Sequence, residues 1–175
     1  MTKIDDIYDA TDDFGLITSA EARVLGCSNA ELVQYARRGR LERVGWGVYR
    51  IPVWPYQEAS PYAAAVKSVG PDAYLYGESV VALLKLAPTN PGRMWVATPR
   101  RVRKNLGKGF HVVSATGSAK KTFCEGVPCQ RVADAIVDSA GAIGRKRAAE
   151  AADEALRFGY INSDERDELK KRIEG

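Results

Sequence analysis

The stretch TSAEARVLGCSNAELVQYARRGRLERVGWGVYRI, residues 18–51, decides how the N-terminal part of the chain folds. Both Thr18-Ser19-Ala20-Glu21 and Ser28-Asn29-Ala30-Glu31 have the pattern of a capping box. In a capping box the hydroxyl and the carboxylate each satisfy a backbone amide of the first helical turn. Gly26 and Gly39 follow at positions where a left-handed residue ends a helix. The stretch therefore predicts two short helices joined by a turn.

Two strand-like runs follow these helices, at residues 41–44 and 48–51, with Gly45-Trp46-Gly47 between them. A three-residue loop flanked by glycines is typical of a β-hairpin. A short amphipathic helix, with Ile4 and Ile7 on its apolar side, precedes the whole stretch. Helix, turn, helix and hairpin in this order predict a winged helix-turn-helix.

The clearest domain boundary lies where Pro52, Pro55 and Pro61 interrupt any regular helix or strand ladder. We therefore expect a winged helix-turn-helix DNA-binding domain over residues 1–55. A second domain, the C-terminal domain, is expected over residues 56–175.

The C-terminal domain alternates between helical and strand-like patterns. Helices are predicted at residues 63–69 and 78–86, and strands at residues 73–76, 94–98, 110–114 and 122–125. A helical tail is predicted over residues 130–175, and Asn162 caps its last helix with Glu165 three residues on. The predicted fold class is α+β, an N-terminal winged helix-turn-helix followed by a mixed α/β domain with a helical tail.

The net charge of +4 is distributed unevenly along the chain. Residues 93–121 contain eight Lys and Arg side chains and no acidic side chain. Clustered positive charge without acidic neighbours produces a local field that attracts polyanions. We call residues 99–121 the basic segment.

Composition restricts the class of protein. The chain has 175 residues, of which 45% are apolar and 27% are charged, a balance typical of soluble proteins with a core. Its apolar runs are far shorter than the ~20 residues that a membrane helix needs, and its charged N-terminus lacks the apolar part of a signal peptide. We therefore expect a cytoplasmic protein.

Residues for catalysis or metal binding are sparse. His111 is the only histidine, and with Cys124 and Cys129 it does not match zinc-ligand spacing. Buried, inert thiols are the simpler interpretation of these cysteines. Gly107-Lys108-Gly109 lacks the rest of a phosphate-binding glycine motif. We expect no catalytic residue, no metal site and no bound cofactor, and therefore no enzyme.

The second helix of the motif is expected to have two faces. At 100° per residue, Leu32, Val33 and Ala36 lie together and are expected to pack inward. Gln34 and Arg38 lie on the opposite side, and such side chains can read adenine and guanine in a major groove. The expected DNA-binding residues of this domain are Ser28, Gln34, Arg37, Arg38, Arg40, Arg43 and Arg50, with Ser28, Arg37, Arg40, Arg43 and Arg50 directed to phosphates.

Some of these residues also allow a purely structural interpretation. Basic residues at a helix C-terminus favour the helix dipole with no partner present, which applies to Arg37 and Arg38. Glu31 is better explained as a cap than as a DNA contact. Trp46 at the hairpin tip either inserts along a minor groove or covers the hairpin.

The basic segment provides the second candidate DNA contact, through Arg100, Arg101, Arg103 and Lys104. No aromatic residue lies among these four, so contact with the nucleic-acid backbone is expected and base stacking is not. A solvated loop that keeps the protein soluble is the alternative interpretation.

Several motifs together resemble a known family. FGLITSAEA at residues 14–22, LGCS at 25–28, RRGRLERV at 37–44 and GVY at 47–49 resemble the N-terminal winged helix of AbiEi-type antitoxins, which belong to type IV toxin–antitoxin systems of bacteria. Shorter similarities follow, YGESVVAL at residues 76–83, WVATP at 95–99 and GVPCQRVAD at 126–134. In the last of these, Val132-Ala133 stands where the family usually has Thr-Ile before the Asp.

The resemblance implies a transcriptional autorepressor that binds inverted repeats in the double-stranded DNA of its own promoter. Because one winged helix buries only about 600–1,000 Å² on DNA, useful affinity is expected to need dimerisation on the DNA or a second contact from the basic segment. It also implies an antitoxin that neutralises a nucleotidyltransferase-like toxin, typically without a stable complex. The DNA contacts proposed above for the winged helix agree with this implication, and those of the basic segment follow more weakly. The alternative is a protein-interaction module whose basic segment binds the toxin directly, with a structural winged helix.

Overall fold

The computed structural model describes residues 2–116 and 119–175. Met1, at the start of the predicted first domain, and Gly117 and Ser118, within the basic segment, lie outside the described residues. The chain forms two compact units, Met1–Pro71 and Asp72–Gly175. No helix in the described part of the chain has the length and apolar character needed to cross a membrane.

The first unit contains four helices and three strands within its described residues. They are α1 (Lys3–Ala10), β1 (Leu16–Thr18), α2 (Ser19–Val24), α3 (Asn29–Arg37), β2 (Glu42–Gly45), β3 (Val48–Arg50) and α4 (Ser60–Val69).

The first predicted capping box forms as expected. The Thr18 hydroxyl accepts a hydrogen bond from the Glu21 amide at 3.1 Å, and the Glu21 carboxylate accepts one from the Thr18 amide at 2.8 Å. Gly26 has a φ of +82°, the left-handed conformation expected for the residue that ends α2. Both predicted boundaries of this helix are therefore confirmed.

The three strands form one antiparallel sheet in the order β1-β3-β2. Gly45 pairs with Val48, so the hairpin turn contains Trp46 and Gly47 only, and a bulge lies between Arg43 and Gly45. The predicted three-residue loop is therefore wrong by one residue. Strand β1, which is three residues long and pairs with β3, was not predicted.

The core of the first unit joins α1, the two helices of the motif and the sheet. Its buried residues are Ile4, Ile7, Ile17, Ala22, Cys27, Leu32, Leu41 and Tyr49, with Tyr8, Tyr35 and Ala36 packed against them. The prediction that Val33 packs inward is wrong, because Val33 is 40% exposed. Leu32 is the buried residue of α3, and Tyr35 and Ala36, about 60° and 40° to either side of it around the helix, are half-buried.

Helix α4 belongs to the first unit. A Cβ added at Gly45 of β2 would collide with the Ser68 hydroxyl of α4, so the helix packs closely against the wing. Lys67 of α4 lies 3.4 Å from Asp12 and 3.7 Å from Glu21. The predicted domain boundary lies between residues 55 and 56, whereas the chain divides into its two compact units between Pro71 and Asp72.

The second unit contains a five-stranded sheet and four helices among the residues described. They are β4 (Tyr74–Leu75), α5 (Gly77–Leu83), β5 (Met94–Thr98), β6 (Phe110–Ser114), β7 (Lys121–Cys124), β8 (Val127–Gln130), α6 (Val132–Ile143), α7 (Arg145–Arg157) and α8 (Ser163–Glu174). The strand order is β6-β5-β4-β8-β7, with β6 parallel to β5 and β4 parallel to β8. Strand β8 was not predicted.

The predicted helical tail forms, but it begins at Val132 of α6, because Gln130 is the last residue of β8. Asn162 caps α8, because its side chain accepts a hydrogen bond from the Glu165 amide at 2.8 Å. Ala148, Ala151 and Ala152 of α7 are fully buried, and their small side chains allow the tail helices to pack closely. The predicted α+β class, with an N-terminal winged helix-turn-helix and a helical tail, is confirmed.

Candidate nucleic-acid interface

Helix α3 is fixed at its N-terminus by the second predicted capping box. The Ser28 hydroxyl accepts a hydrogen bond from the Glu31 amide at 3.2 Å, and the Ser28 amide donates to the Glu31 carboxylate at 2.9 Å. Glu31 also accepts a hydrogen bond from the Lys3 ammonium at 2.7 Å. Glu31 is thus a cap, as the sequence predicts, and its pKa is lowered first by Lys3 and then by the Ser28 amide.

The C-terminal end of α3 is equally defined. Arg38 is the C-cap, and Gly39 follows with a φ of +72°. The Tyr8 hydroxyl donates a hydrogen bond to the Arg40 carbonyl at 2.6 Å, which attaches the chain after α3 to α1. These contacts hold the helix at both ends, so its exposed side chains start from fixed backbone positions.

One face of α3 is exposed along its whole length. Its exposed residues are Asn29, Ala30, Val33, Gln34, Arg37 and Arg38. We call Ala30, Val33, Gln34, Arg37 and Arg38 the outward face of α3. No hydrogen bond or ion pair within the described residues engages the side chains of Gln34, Arg37 or Arg38.

Val33 on this face is a candidate that the sequence analysis missed. An apolar side chain in a major groove can contact the methyl group of thymine. The signal in the sequence was its position: Val33 lies about 100° from Leu32 around the helix, away from the centre of the buried stripe. The outward face therefore combines an apolar contact, an amide and two guanidinium groups.

The wing lies next to the motif in the chain and is bonded to it. The Ser19 amide donates a hydrogen bond to the Gly47 carbonyl at 2.8 Å, so the hairpin turn is attached to the start of α2. Trp46 at the tip is 48% exposed, and Arg43 is exposed on β2 with its Nε 3.4 Å from the Gly45 carbonyl. Trp46 and Arg43 are therefore accessible on a fixed hairpin.

Arg50 differs from the other predicted residues of the wing. Its guanidinium lies 3.5 Å from the Glu42 carboxylate and donates to the Trp54 carbonyl at 2.5 Å. Only 15% of its side chain is exposed. Arg50 therefore connects the wing to the segment that follows it, and its charge is already partly compensated within the chain.

The predicted residues of the basic segment lie in the second unit. Arg100 is exposed and bonded to Asp72, whereas Arg101 and Arg103 are exposed without an ion pair among the described residues. Lys104 is half-buried, and burial lowers its pKa. Arg100, Arg101 and Lys104 line one cavity, and Arg103 does not.

The structure brings the predicted residues together in two groups. One group, on α3 and the chain that follows it, contains Ser28, Gln34, Arg37, Arg38, Arg40 and Arg43. The other contains Arg100, Arg101, Arg103 and Lys104. Within residues 2–116 and 119–175, no three His, Cys, Asp or Glu side chains converge as metal ligands would. All three cysteines are buried.

Comparison with known protein families gives one result. Residues 9–52 match the model of a family described as transcriptional regulator, AbiEi antitoxin. No curated protein matches the chain. The resemblance to AbiEi-type antitoxins is therefore confirmed for this part of the first unit. It supports a role as a DNA-binding regulator or antitoxin, and the family is one of regulators and not of enzymes.

Proposed function

We propose that this protein represses its own promoter and acts as the antitoxin of a type IV toxin–antitoxin system in the bacterial cytoplasm. In this proposal the winged helix-turn-helix binds inverted repeats in the promoter, and the chain neutralises a nucleotidyltransferase-like toxin. The observation that carries the DNA-binding half is the outward face of α3. Its polar side chains are exposed and have no partner within the described chain. The family match over residues 9–52 supports both halves.

Helix α3 is the element that enters the major groove. Gln34 hydrogen-bonds to adenine, Arg38 to guanine, and Val33 contacts a thymine methyl group. Arg37, Arg40 and Arg43 contact phosphates and set the register of the helix without reading bases. Ser28 acts mainly by capping α3, because its hydroxyl and amide are both engaged with Glu31.

Two protomers are needed for useful affinity. One winged helix buries only about 600–1,000 Å² on DNA. An inverted repeat offers the same half-site twice, so a pair of protomers on one operator doubles the contact area. Backbone contacts from the basic segment add affinity without sequence preference.

In the antitoxin half of the proposal, the basic second unit neutralises the toxin. Residues 93–121 contain no acidic side chain, so an acidic surface of a toxin is a suitable partner for direct binding. The rival hypothesis, a protein-interaction module with a structural winged helix, leaves the exposed α3 face without a role.

The DNA-binding half is tested by titrating the upstream DNA and a scrambled duplex of equal length. Wild-type protein is compared with Arg37→Ala/Arg38→Ala. The matched control is Arg145→Ala/Lys146→Ala, which removes the same charge from exposed positions of α7. We expect the α3 variant to lose preference for the upstream DNA and the α7 control to retain it. If wild-type protein binds both duplexes equally, the repressor proposal is wrong.

The antitoxin half is tested separately by co-expression with the neighbouring toxin gene. We expect wild-type protein to restore growth, and Arg37→Ala/Arg38→Ala to restore it as well when expressed from an unrelated promoter. Absence of rescue by wild-type protein would refute the antitoxin half without affecting the DNA result. Co-purification with the toxin, together with no shift of promoter DNA, would favour the rival hypothesis.

A further inference from the structure

The second unit contains a cavity that has no role of its own in this proposal, although its lining shares Arg100, Arg101 and Lys104 with the basic segment. It lies between residues 98–107 and strand β6 and has a volume of about 590 Å³. Its walls include Arg100, Arg101, Lys104, Leu106, Phe110 and Val112. A volume of this size is within the range of sites for small organic ligands, roughly 300–1,000 Å³. We call this space the β6 cavity.

The charge on the wall of the β6 cavity is positive and incompletely compensated. Arg100 is bonded to Asp72, but Arg101 and Lys104 form no ion pair within the described residues. Lys104 is half-buried, and burial lowers its pKa because water is removed from the ammonium group without a carboxylate to replace it. An anion bound in the cavity would supply the missing negative charge.

Another part of the lining is apolar. Leu106, Phe110 and Val112 all line the cavity and are half-buried. Inorganic anions gain nothing from such a surface, whereas a planar organic group removes it from water. The cavity therefore matches a ligand with an anionic end and an apolar or planar end.

Strand β6, which contributes Phe110 and Val112 to the lining, also has backbone hydrogen-bonding groups. It is an edge strand, with β5 on one side and no strand on the other among the residues described. The Gly109 carbonyl accepts from the Met94 amide, and the Ala115 amide donates to the Thr98 carbonyl, so odd-numbered residues face β5. The backbone groups of Phe110 and Val112 consequently point toward the open edge, where a heterocyclic base can bond to them.

We propose that the β6 cavity binds a nucleoside phosphate. The phosphates lie at Arg101 and Lys104, and the base lies against Leu106, Phe110 and Val112. The backbone edge of β6 supplies donors and acceptors for the base. This site is independent of the DNA contacts of α3, and it gives the second unit a small-molecule ligand in addition to any backbone contact with DNA.

The test is calorimetric titration of the full-length protein with ATP, adenosine and inorganic triphosphate as separate probes. We expect ATP to bind at least about tenfold more tightly than either fragment, because only ATP contacts both the cations and the apolar side chains of the lining. If triphosphate binds as tightly as ATP, the cavity is a simple anion surface and the proposal is wrong. If ATP does not bind, the proposal is also wrong.

Matched variants locate the site. Arg101→Ala/Lys104→Ala removes the two uncompensated cations of the cavity, whereas Arg103→Ala removes a cation of the same loop that does not line it. We expect the double variant to lose at least about tenfold in ATP affinity and Arg103→Ala to lose less than about twofold. Equal losses would overturn the assignment.

A variant of the apolar wall and a DNA control complete the test. Leu106→Ser, in the loop, is expected to weaken ATP binding and leave triphosphate binding unchanged. An unchanged ATP affinity would contradict the placement of the base. Binding of the upstream DNA, measured on the same preparations, separates failure here from failure of the repressor proposal.

Discussion

The outward face of α3 and the loop at residues 99–107 both present arginines to solvent, but their backbones are held differently. Helix α3 has a capping box at one end and a left-handed glycine at the other. The loop has local bonds, such as that from the Gly107 amide to the Asn105 side chain at 2.9 Å, and belongs to no helix or strand. Similar positive charge is therefore carried by a capped helix in one region and by a loop in the other.

This difference predicts different kinds of recognition. Reading a base edge requires donors at fixed positions, which a capped helix provides. A loop outside any helix or strand suits phosphates, which present the same charge at every nucleotide. The α3 variants should therefore change sequence preference, and the loop variants should change affinity for all nucleic acids.

The largest effect is expected from Arg38→Ala. Loss of a guanidinium that contacts guanine should weaken operator binding by about 1–3 kcal/mol and leave random DNA much less affected. Competition titrations with both duplexes measure the ratio. Arg145→Ala serves as the control of equal charge, since Arg145 is exposed on α7. Equal losses on operator and random DNA would contradict a base-reading role for Arg38.

The next effect is expected from Arg100→Ala/Arg101→Ala, which should weaken binding to all sequences. Each phosphate contact contributes about 0.9 to the slope of log K against log salt. Because Arg100 is bonded to Asp72, we expect the slope to fall by about 0.9, the value for one contact, and not by twice that amount. Titrations at several salt concentrations measure it.

Asp72→Asn tests why the slope is expected to fall by the value for one contact and not for two. It removes the charge that holds Arg100, and the freed guanidinium should make the salt dependence steeper than in wild-type protein. A slope that is unchanged in both variants would show that these arginines do not contact DNA.

A third effect concerns the stability that the N-terminal cap of α3 contributes. Ser28→Ala removes the hydroxyl that accepts from the Glu31 amide and should cost about 1 kcal/mol of stability. Thermal unfolding measures the loss. Ser163→Ala is the control, because Ser163 is the exposed first residue of α8 and the capping side chain there is Asn162. If both variants unfold alike, the cap of α3 contributes no particular stability.

The parts of the fold that depend on neighbours in sequence could be predicted from the sequence. Both capping boxes and both glycine stops lie within a few residues of the helices they define, so their patterns were sufficient. Strands β1 and β8 were missed; each is stabilised by pairing with other strands, β1 with β3 and β8 with β4 and β7. Such pairing leaves little trace in a short stretch of sequence.

In the candidate site too, features that depend on sequence neighbours could be predicted and some longer-range contacts could not. The exposure of Gln34, Arg37 and Arg38 follows from helical periodicity, which also should have placed Val33 outside the buried stripe. The bond from Arg50 to the Trp54 carbonyl could not be predicted, because that carbonyl reaches Arg50 only through the turn after β3. The DNA-binding roles themselves remain predictions, and the variants above decide them.

The smallest effect is a pH dependence of the stability that the Glu31 cap at the start of α3 contributes. The pKa of Glu31 is lowered by Lys3 and by the Ser28 amide, so the stability it contributes is present above the unfolded-state pKa. That contribution is lost as the pH falls through the lower folded-state pKa. Glutamine also fits a capping box, so Glu31→Gln keeps the cap and removes the titration. The difference in melting temperature between wild type and this variant should therefore narrow as the pH falls from 6 toward about 3. A constant difference would show that the capped start of α3 does not depend on the charge of Glu31.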